Sequence, residues 1–521
     1  MCPRNTWGSK TDRRMTQYLL GIDNGSTLAK AAVFEPTGRE LAVAARKVDV
    51  LAPRPGWTEL DADSLWQATA QAIREALSRA AIAPADVACV ACTGFGNGLF
   101  LVDAAGRPVR HAIGSSDARA RDYVARWHAA GVGDAVRPQT MQSLWPGQPN
   151  ALLAWLQDHE PDTLRRAAWA LLCKDYTRLR LTGEPALERT DASGTSLMNV
   201  GTGQFDPSVL TAFGIAECLR LLPRVVASDA VCGHVTPEAA AQTGLAAGTP
   251  VAGGVFDIDA CALASGLVDE SQLCVVAGTW GINEFISPRP VVDRDVFMTS
   301  CYAIPGQFLT IEASPTSASN LEWFVTEFLP AEREQAAARH QSVYDLCNRL
   351  VAETPPQEAG PIFLPFLYGS PVGPDAKSAF FGLDGWQRRG HVLRAIYEGV
   401  VFGHQWHIER LLRFRPPPAC VRLTGGAARS DVWMQLFADV LQTPVEVPAG
   451  TELGALGAAL CAAVAAGCYP SLPAACQQMV HIARTYRPNA ALADVYRRKY
   501  SRYRRLLEVL TPVWPELAEG K

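Results

Sequence analysis

Apolar positions at the start of the chain fall into short runs broken by glycine turns, a pattern that predicts strands before any helix. Tyr18-Leu-Leu-Gly-Ile-Asp23 is an apolar run ending on a carboxylate, and a glycine turn separates it from a second run, Ala29 to Phe34. Another turn, Pro36-Thr-Gly-Arg39, leads to a third, Leu41 to Val50. Three strands joined by tight turns form a meander. A helical period follows over Asp63 to Ala80, with Leu65, Trp66, Ala70, Ile73 and Leu77 on one face. Val87 to Thr93 and Leu99 to Val102 read as strands on either side of a glycine-rich corner, Gly94-Phe-Gly-Asn-Gly98. A meander ahead of the first helix is not the start of a dinucleotide-binding unit.

Helical stretches with Trp127, Trp155 and Trp169 occupy Ser116 to Leu181. Thr249 to Ala252 then starts a strand that runs into Gly253-Gly254, Phe256-Asp257 and a small-residue helix reaching Gly266. That order places Asp257 at the carboxyl end of a strand and the amino end of a helix, where ligands of open α/β sheets bind. The opening theme repeats at once: Leu273 to Ala277, the turn Gly278-Thr279, and the strand-like Gly281 to Ile286. The chain therefore reads as α/β with two similar halves, 16–262 and 263–515, behind an extension, 1–15, expected to be disordered. Further on, Thr354 to Gly360 reads as a surface loop, His391 to Leu412 as a long amphipathic helix, Val421 to Thr424 as a strand, and Asp431 to Leu441 as a helix.

The bulk properties narrow the field. A chain of 521 residues is too long for one core and suits two large domains. Hydrophobic content of 48%, 19% charged residues and a net charge of −4 give no nucleic-acid or anionic-membrane surface. The alanine-rich run Gly454 to Gly467 falls short of the ~20 residues a membrane span needs. Met1 to Arg14 is polar and basic and lacks the apolar core of a secretory signal; Met15 is an alternative start. Fourteen irregularly spaced cysteines read as reduced thiols of a cytoplasmic protein. Cys89-Val-Ala-Cys92 has no second pair to complete a zinc site and sits in a strand pattern.

Three glycine turns carry candidate chemistry. Asp23-Asn-Gly-Ser-Thr27 offers backbone N–H groups and two hydroxyls to a phosphate, with Lys30 close behind. At its head, Asp23 suits Mg²⁺, a hard cation that favours carboxylate and water oxygens. Asn-Gly is equally a hairpin signal; the matching Gly278-Thr279 turn favours the phosphate role. Thr424-Gly-Gly-Ala-Ala-Arg-Ser430 joins a strand to a helix. It reads either as a tight packing turn or as a surface on which an adenine ring lies against Gly425 and Gly426. No P-loop signature is present. Asp259 is the alternative carboxylate to Asp257. His404 and His407, with no carboxylate in view, read as packing residues, as do Trp155 and Trp323.

With these residues assembled, the chain resembles the FGGY carbohydrate kinases from about Tyr18 to Tyr503. Ser378-Ala-Phe-Phe-Gly-Leu383, followed by His391-Val-Leu-Arg-Ala-Ile-Tyr-Glu398, fits the family's C-terminal consensus. Lys174 to Gly183, Asp191-Ala-Ser193, Gly278-Thr-Trp280 and Gly425-Gly426 are similar to other family pieces. Within the family, Asn97-Gly-Leu-Phe100, Ser115 to Arg119, Leu144-Trp-Pro-Gly147, Glu312 to Ser317, Asn320 to Phe324 and Phe363 to Ser370 are most similar to bacterial L-xylulose kinases. The resemblance implies two actin-like (ribonuclease H-like) ATPase domains around a cleft, which binds ATP with Mg²⁺ and a small sugar. It implies ATP-dependent phosphorylation of a ketopentose's terminal hydroxyl, L-xylulose first. D-xylulose, L-ribulose and erythritol-type polyols are alternatives, and an actin- or chaperone-like ATPase is a rival of another class. Asp257 takes the role of catalytic base and, with Asp23, of metal ligand. Gly25, Ser26, Thr27, Gly278, Thr279, Gly425, Gly426 and Ser430 would hold the nucleotide. Gly96, Asn97, Trp145 and Asp257 would hold the sugar, and a homodimer is an expected assembly. The chain departs from family patterns at Leu152, at Phe95-Gly96-Asn97 and at Ile258; all three bear on the sugar.

Overall fold

The computed structural model describes residues 17–373 and 375–518, so the extension expected to be disordered lies outside the described residues. Among the described residues two large sheets form. The first contains β1 (Tyr18–Asn24), β2 (Leu28–Phe34) and β3 (Glu40–Lys47), then, after helix α1 (Ala62–Ala80), β4 (Val87–Gly94). Helices α2 (Cys173–Thr182) and α3 (Arg189–Ser193) precede its last strands, β5 (Val231–His234) and β6 (Pro250–Ala252). Their spatial order is β5-β6-β4-β1-β2-β3. β1 pairs antiparallel with β2 and parallel with β4, so the predicted meander forms one wing of the sheet.

Helix α4 (Asp257–Ala264) leads to the second sheet, made of β7 (Gln272–Ala277), β8 (Gly281–Ser287), β9 (Met298–Cys301) and β10 (Phe308–Ser314). After helix α5 (Arg389–Leu411) come β11 (Cys420–Thr424), α6 (Asp431–Leu441), β12 (Val445–Pro448), α7 (Leu453–Ala465) and β13 (Ile482–Tyr486). The order is β9-β10-β8-β7-β11-β12-β13, with β7 antiparallel to β8 and parallel to β11. β7 thus repeats the pairing of β1, and the sequence repeat is a topological one.

The apolar runs form strands for a simple reason. β1 and β7 are central and covered on both faces, so they read as continuous apolar segments rather than alternating ones. α1 starts where the Asp61 carboxylate accepts the N–H groups of Asp63 and Ser64, and it buries Leu65, Trp66, Ile73 and Leu77. The alanine-rich run has its own explanation. α7 lies against β1 and crosses α4 so closely that a Cβ on Gly457 would sit 2.2 Å from the Ala260 carbonyl, and one on Gly21 would sit 1.9 Å from that of Ala455. Small residues are a condition of that crossing. Among the described residues no helix is long and apolar enough to cross a membrane.

Candidate active site

The carboxyl ends of the parallel strands β1, β4 and β6 gather three loops at one edge of the first sheet. β1 ends on Asp23 and the turn after it. β4 leads into the glycine corner, whose Phe95 N–H donates to the Asn24 carbonyl at 3.0 Å, level with that turn. β6 leads into Gly253-Gly254. A Cβ on Gly253 would fall 2.1 Å from the Ala227 carbonyl, and one on Gly254, at φ +83°, 2.1 Å from that of Cys92. Only bare backbone can make this passage, and Asp257 emerges from it as the first residue of α4.

Asp257 is half-buried. Burial first, then the neighbouring Asp191 and Asp23 carboxylates, raise its proton affinity well above the ordinary value; the Ile258 N–H and the Lys174 ammonium oppose this. Asp23 is also half-buried, and burial raises it too, with Lys30 opposing and Glu452 adding. Asp259 is fully buried inside α4, and neither of its oxygens has a hydrogen-bond partner in the protein. Asp257 is therefore the carboxylate of the pair that a substrate could reach.

The turn after Asp23 takes the form that Asn-Gly signals. It is a hairpin, closed by the Gly25 N–H to the Leu28 carbonyl at 2.9 Å, and it leaves the Ser26 and Thr27 hydroxyls exposed. Lys30 does not point to that turn. Its ammonium meets Glu452 at 2.7 Å, just before α7. A Cβ on Gly454 would lie 2.6 Å from Asp23 Oδ2, so the amino end of α7 abuts that carboxylate. In the second sheet the parallel pairing of β7 and β11 sets the other two turns side by side. A Cβ on Gly425, at φ +91°, would lie 2.6 Å from the Ala277 carbonyl and 3.0 Å from the Gly278 nitrogen. Thr279, Gly425 and Gly426 are exposed, and nothing lies within 4 Å of where a Gly426 Cβ would be. Ser430 is engaged elsewhere: its hydroxyl donates to Asn348 Oδ1 at 2.6 Å and accepts the Trp433 N–H that caps α6.

The glycine corner packs directly on the residue before Asp257. A Cβ on Gly96 would stand 2.0 Å from Phe256 Cε2. Asn97 adopts φ 61°, is buried, and its Oδ1 has no partner in the protein. The Gly98 N–H donates to the Gly147 carbonyl at 2.9 Å, bringing Trp145 to the same corner. Trp145 is half-buried and stacks on Phe297 of the second half, with ring centres 5.5 Å apart. Gly96 thus lies against the ring of Phe256, the residue before Asp257, and the Gly98–Gly147 hydrogen bond ties the Trp145 loop to the same corner. Trp155 and Trp323 pack against Trp57 and Phe328, as expected.

Two histidines gain partners that the sequence did not reveal. His407 Nδ1 meets Glu312 Oε2 at 2.9 Å. His404 lies between Ser317 Oγ and Asn283 Oδ1, each at 2.8 Å, and burial lowers its pKa to about 3. Sequence reasoning also missed a sealed ionic cluster. Lys174 Nζ lies 3.2 Å from Asp175, 3.4 Å from Glu188 and 3.2 Å from Asp191, all of them buried. The only signal was that Lys174 and Asp191 sit in pieces that look like family pieces.

The N-terminal domain model of the FGGY family of carbohydrate kinases matches residues 18–264, and the C-terminal domain model matches 273–466. An L-xylulose/3-keto-L-gulonate kinase of Escherichia coli K12 is 39% identical over 498 residues, covering 95% of this chain and 98% of that protein. An erythritol kinase of Brucella abortus is 30% identical over 524 residues, covering 98% and 99%. The crystal structure of a xylulose kinase from Rhodospirillum rubrum superposes with a TM-score of 0.86 at 28% identity, over 96% of this chain and 100% of the other. The paired sheets are the two-domain, actin-like arrangement of these kinases.

Proposed function

The chain belongs to the FGGY family of carbohydrate kinases, with ATP as its phosphoryl donor, and from that premise we propose that it phosphorylates the terminal hydroxyl of a ketopentose, L-xylulose first. The observation that carries the reading is the placement of Asp257: a half-exposed, proton-avid carboxyl beside Asp23 and directly behind the Gly96–Asn97 corner. Phosphoryl transfer asks for positioning and charge neutralisation more than for covalent chemistry. In this reading Asp257 accepts the proton of the attacking hydroxyl, and the Gly25–Thr27 and Gly278–Thr279 turns hold the phosphates. Gly425 and Gly426 offer an open backbone surface to the adenosine. Ser430 acts through the shape of that surface, since its hydroxyl is already engaged.

Asn97 is the best-placed sugar contact, because a buried amide oxygen without a partner is rare and costs about 1–3 kcal/mol. A polyol hydroxyl would satisfy it, and Trp145 would wall the same corner. Among the described residues no set of three or more His, Cys, Asp or Glu is arranged to hold a metal ion. Mg²⁺ fits nevertheless, since it is commonly held by one or two carboxylates with water and substrate phosphates. Asp23 and Asp257 would face it, and it would neutralise phosphate charge. The division at 262/263 is proposed with one refinement: α7, though late in the chain, packs on the first sheet. Thirteen free cysteines among the described residues support a reducing, cytoplasmic location. A homodimer remains the proposed assembly, to be tested by light scattering.

An ADP-coupled assay with MgATP tests the reading against L-xylulose, 3-keto-L-gulonate, D-xylulose, L-ribulose, D-ribulose, erythritol and glycerol, with Asp257→Asn alongside. Strong preference for one ketopentose, and a loss of at least ~10²-fold in the variant, is the expected outcome. Turnover of Asp257→Asn within tenfold of wild type would remove that residue from the role. Sugar-independent ATP hydrolysis would restore the chaperone-like rival.

A further inference from the structure

In the backbone that delivers Asp257, Gly253 and Gly254 have no side chains to pack; their N–H groups donate to the Ala230 and Ser228 carbonyls at 2.9 and 3.0 Å, and Val255 and Phe256 beyond them are buried. Two more side chains, Arg178 and Thr190, grip this backbone from outside, and both are tied to the sealed ionic cluster. Arg178 Nη1 donates to the Gly253 carbonyl at 2.6 Å, and the same guanidinium pairs with Asp175 at 2.8 Å. On the far side of the turn, Thr190 Oγ1 accepts the Phe256 N–H at 2.9 Å. That hydroxyl is itself oriented: it donates to Glu188 Oε2 at 2.7 Å. Glu188 is fixed in turn by the Ser228 hydroxyl at 2.7 Å, by the Thr190 N–H at 2.9 Å, and by Lys174 at 3.4 Å. The Glu188 N–H donates to Asp175 at 3.1 Å, which closes the ring of contacts.

Stability alone does not account for such a cluster. Five charged side chains are buried here, and buried ion pairs are commonly no more stabilising than apolar residues of the same volume. What the cluster does provide is a fixed direction for one peptide N–H, one residue before the proposed base. The hydroxyl of Thr190 has both of its roles filled by this relay, donor to Glu188 and acceptor from Phe256.

We propose that Thr190 is a positioning residue for phosphoryl transfer: oriented by Glu188, it locks the Phe256 peptide and thereby the direction in which Asp257 projects. The inference rests on the reading of Asp257 as the proton acceptor. Displacing a reacting group by about 1 Å costs on the order of 10²-fold in rate. Thr190→Val keeps the shape and removes both hydrogen bonds, and its kcat should fall 10- to 100-fold. KM for ATP and for sugar should stay within twofold. Thr190→Ser, which restores the hydroxyl, should recover kcat to within threefold.

Both variants are made in wild-type and Asp257→Asn backgrounds. If the relay acts through Asp257, Thr190→Val should have little further effect once Asp257 is Asn, because two changes in one chain of contacts are not additive. If Asp257→Asn is inactive but Thr190→Val turns over like wild type, the positioning inference fails alone. If Asp257→Asn is active, the parent reading fails instead. An equal drop in both backgrounds, or a rise in KM matching the fall in kcat, would also overturn the inference. Should Thr190→Val not fold, Thr190→Ala with the same pair of backgrounds gives the same discrimination.

Discussion

Gly96 offers the sharpest steric test of the site. A methyl group added there would meet Phe256 Cε2 at 2.0 Å, Cζ at 2.7 Å and Cδ2 at 2.8 Å. Carbon atoms pack at about 3.5–4 Å, so the ring must retreat by roughly 1.5 Å. It has nowhere open to go. Phe256 is 3% exposed, it packs in the apolar cluster with Val255, Ala260 and Leu263, and its own N–H is tied to Thr190. Overpacking of this kind costs about 1–3 kcal/mol. For a domain of this size that corresponds to a fall of several degrees in Tm, at roughly 2–4 °C per kcal/mol. The catalytic effect should be larger than the thermal one, because the next residue is Asp257 and ~1 Å there is worth about 10²-fold. Gly96→Ala is therefore expected to fold, to melt several degrees lower, and to lose one to two orders of magnitude in kcat. Gly385→Ala, where nothing lies within 4 Å of the new Cβ, serves as the control and should change neither. Thermal unfolding and the coupled kinase assay read both quantities. Wild-type kcat in Gly96→Ala would refute the claim that this corner sets the position of Asp257.

Three further outcomes follow from other parts of the structure. Gly426→Ala enters open space, so its Tm should be unchanged while KM for ATP rises about tenfold or more; an unchanged KM would take Gly426 out of the adenosine surface. Trp145→Ala should raise KM for sugar with little change in KM for ATP, and the reverse split would assign the ring to the nucleotide side. Glu284, fully buried in β8, is raised from 4.5 to about 8, by burial first, with the neighbouring Cys274 thiol opposing. The folded state therefore holds this proton more tightly than the unfolded chain. Its stabilising effect is complete below pH 4.5 and is lost as pH rises through about 8, at about 1.4 kcal/mol per pH unit in that window. Glu284→Gln mimics the protonated form, so its Tm advantage over wild type should widen by several degrees from pH 5 to pH 8; a gap that stays flat would refute the assignment.

Much of the placement of the candidate site residues was legible in the chain itself, because it depends on local order. A carboxylate between a strand and a helix, glycines where the backbone must turn, and hydroxyls next to them are short-range patterns. Asp23, Asp257, Gly278 and Gly425 stand where those patterns put them. The duplicated halves were equally readable, since β1–β2 and β7–β8 repeat the same run of apolar residues and turn.

Other features were decided only by the tertiary structure. Lys30, close in sequence to a phosphate turn, is drawn away by Glu452, 422 residues along the chain. Ser430 spends its hydroxyl on Asn348 and a helix cap. His407 finds a carboxylate in a strand 95 residues before it. The cluster around Lys174 joins three separate segments behind Asp257. Periodicity and turn chemistry report what a residue does to its own backbone within a few positions. The partner of a long charged side chain is set by which elements fold up beside it, and burial then makes that choice energetically decisive.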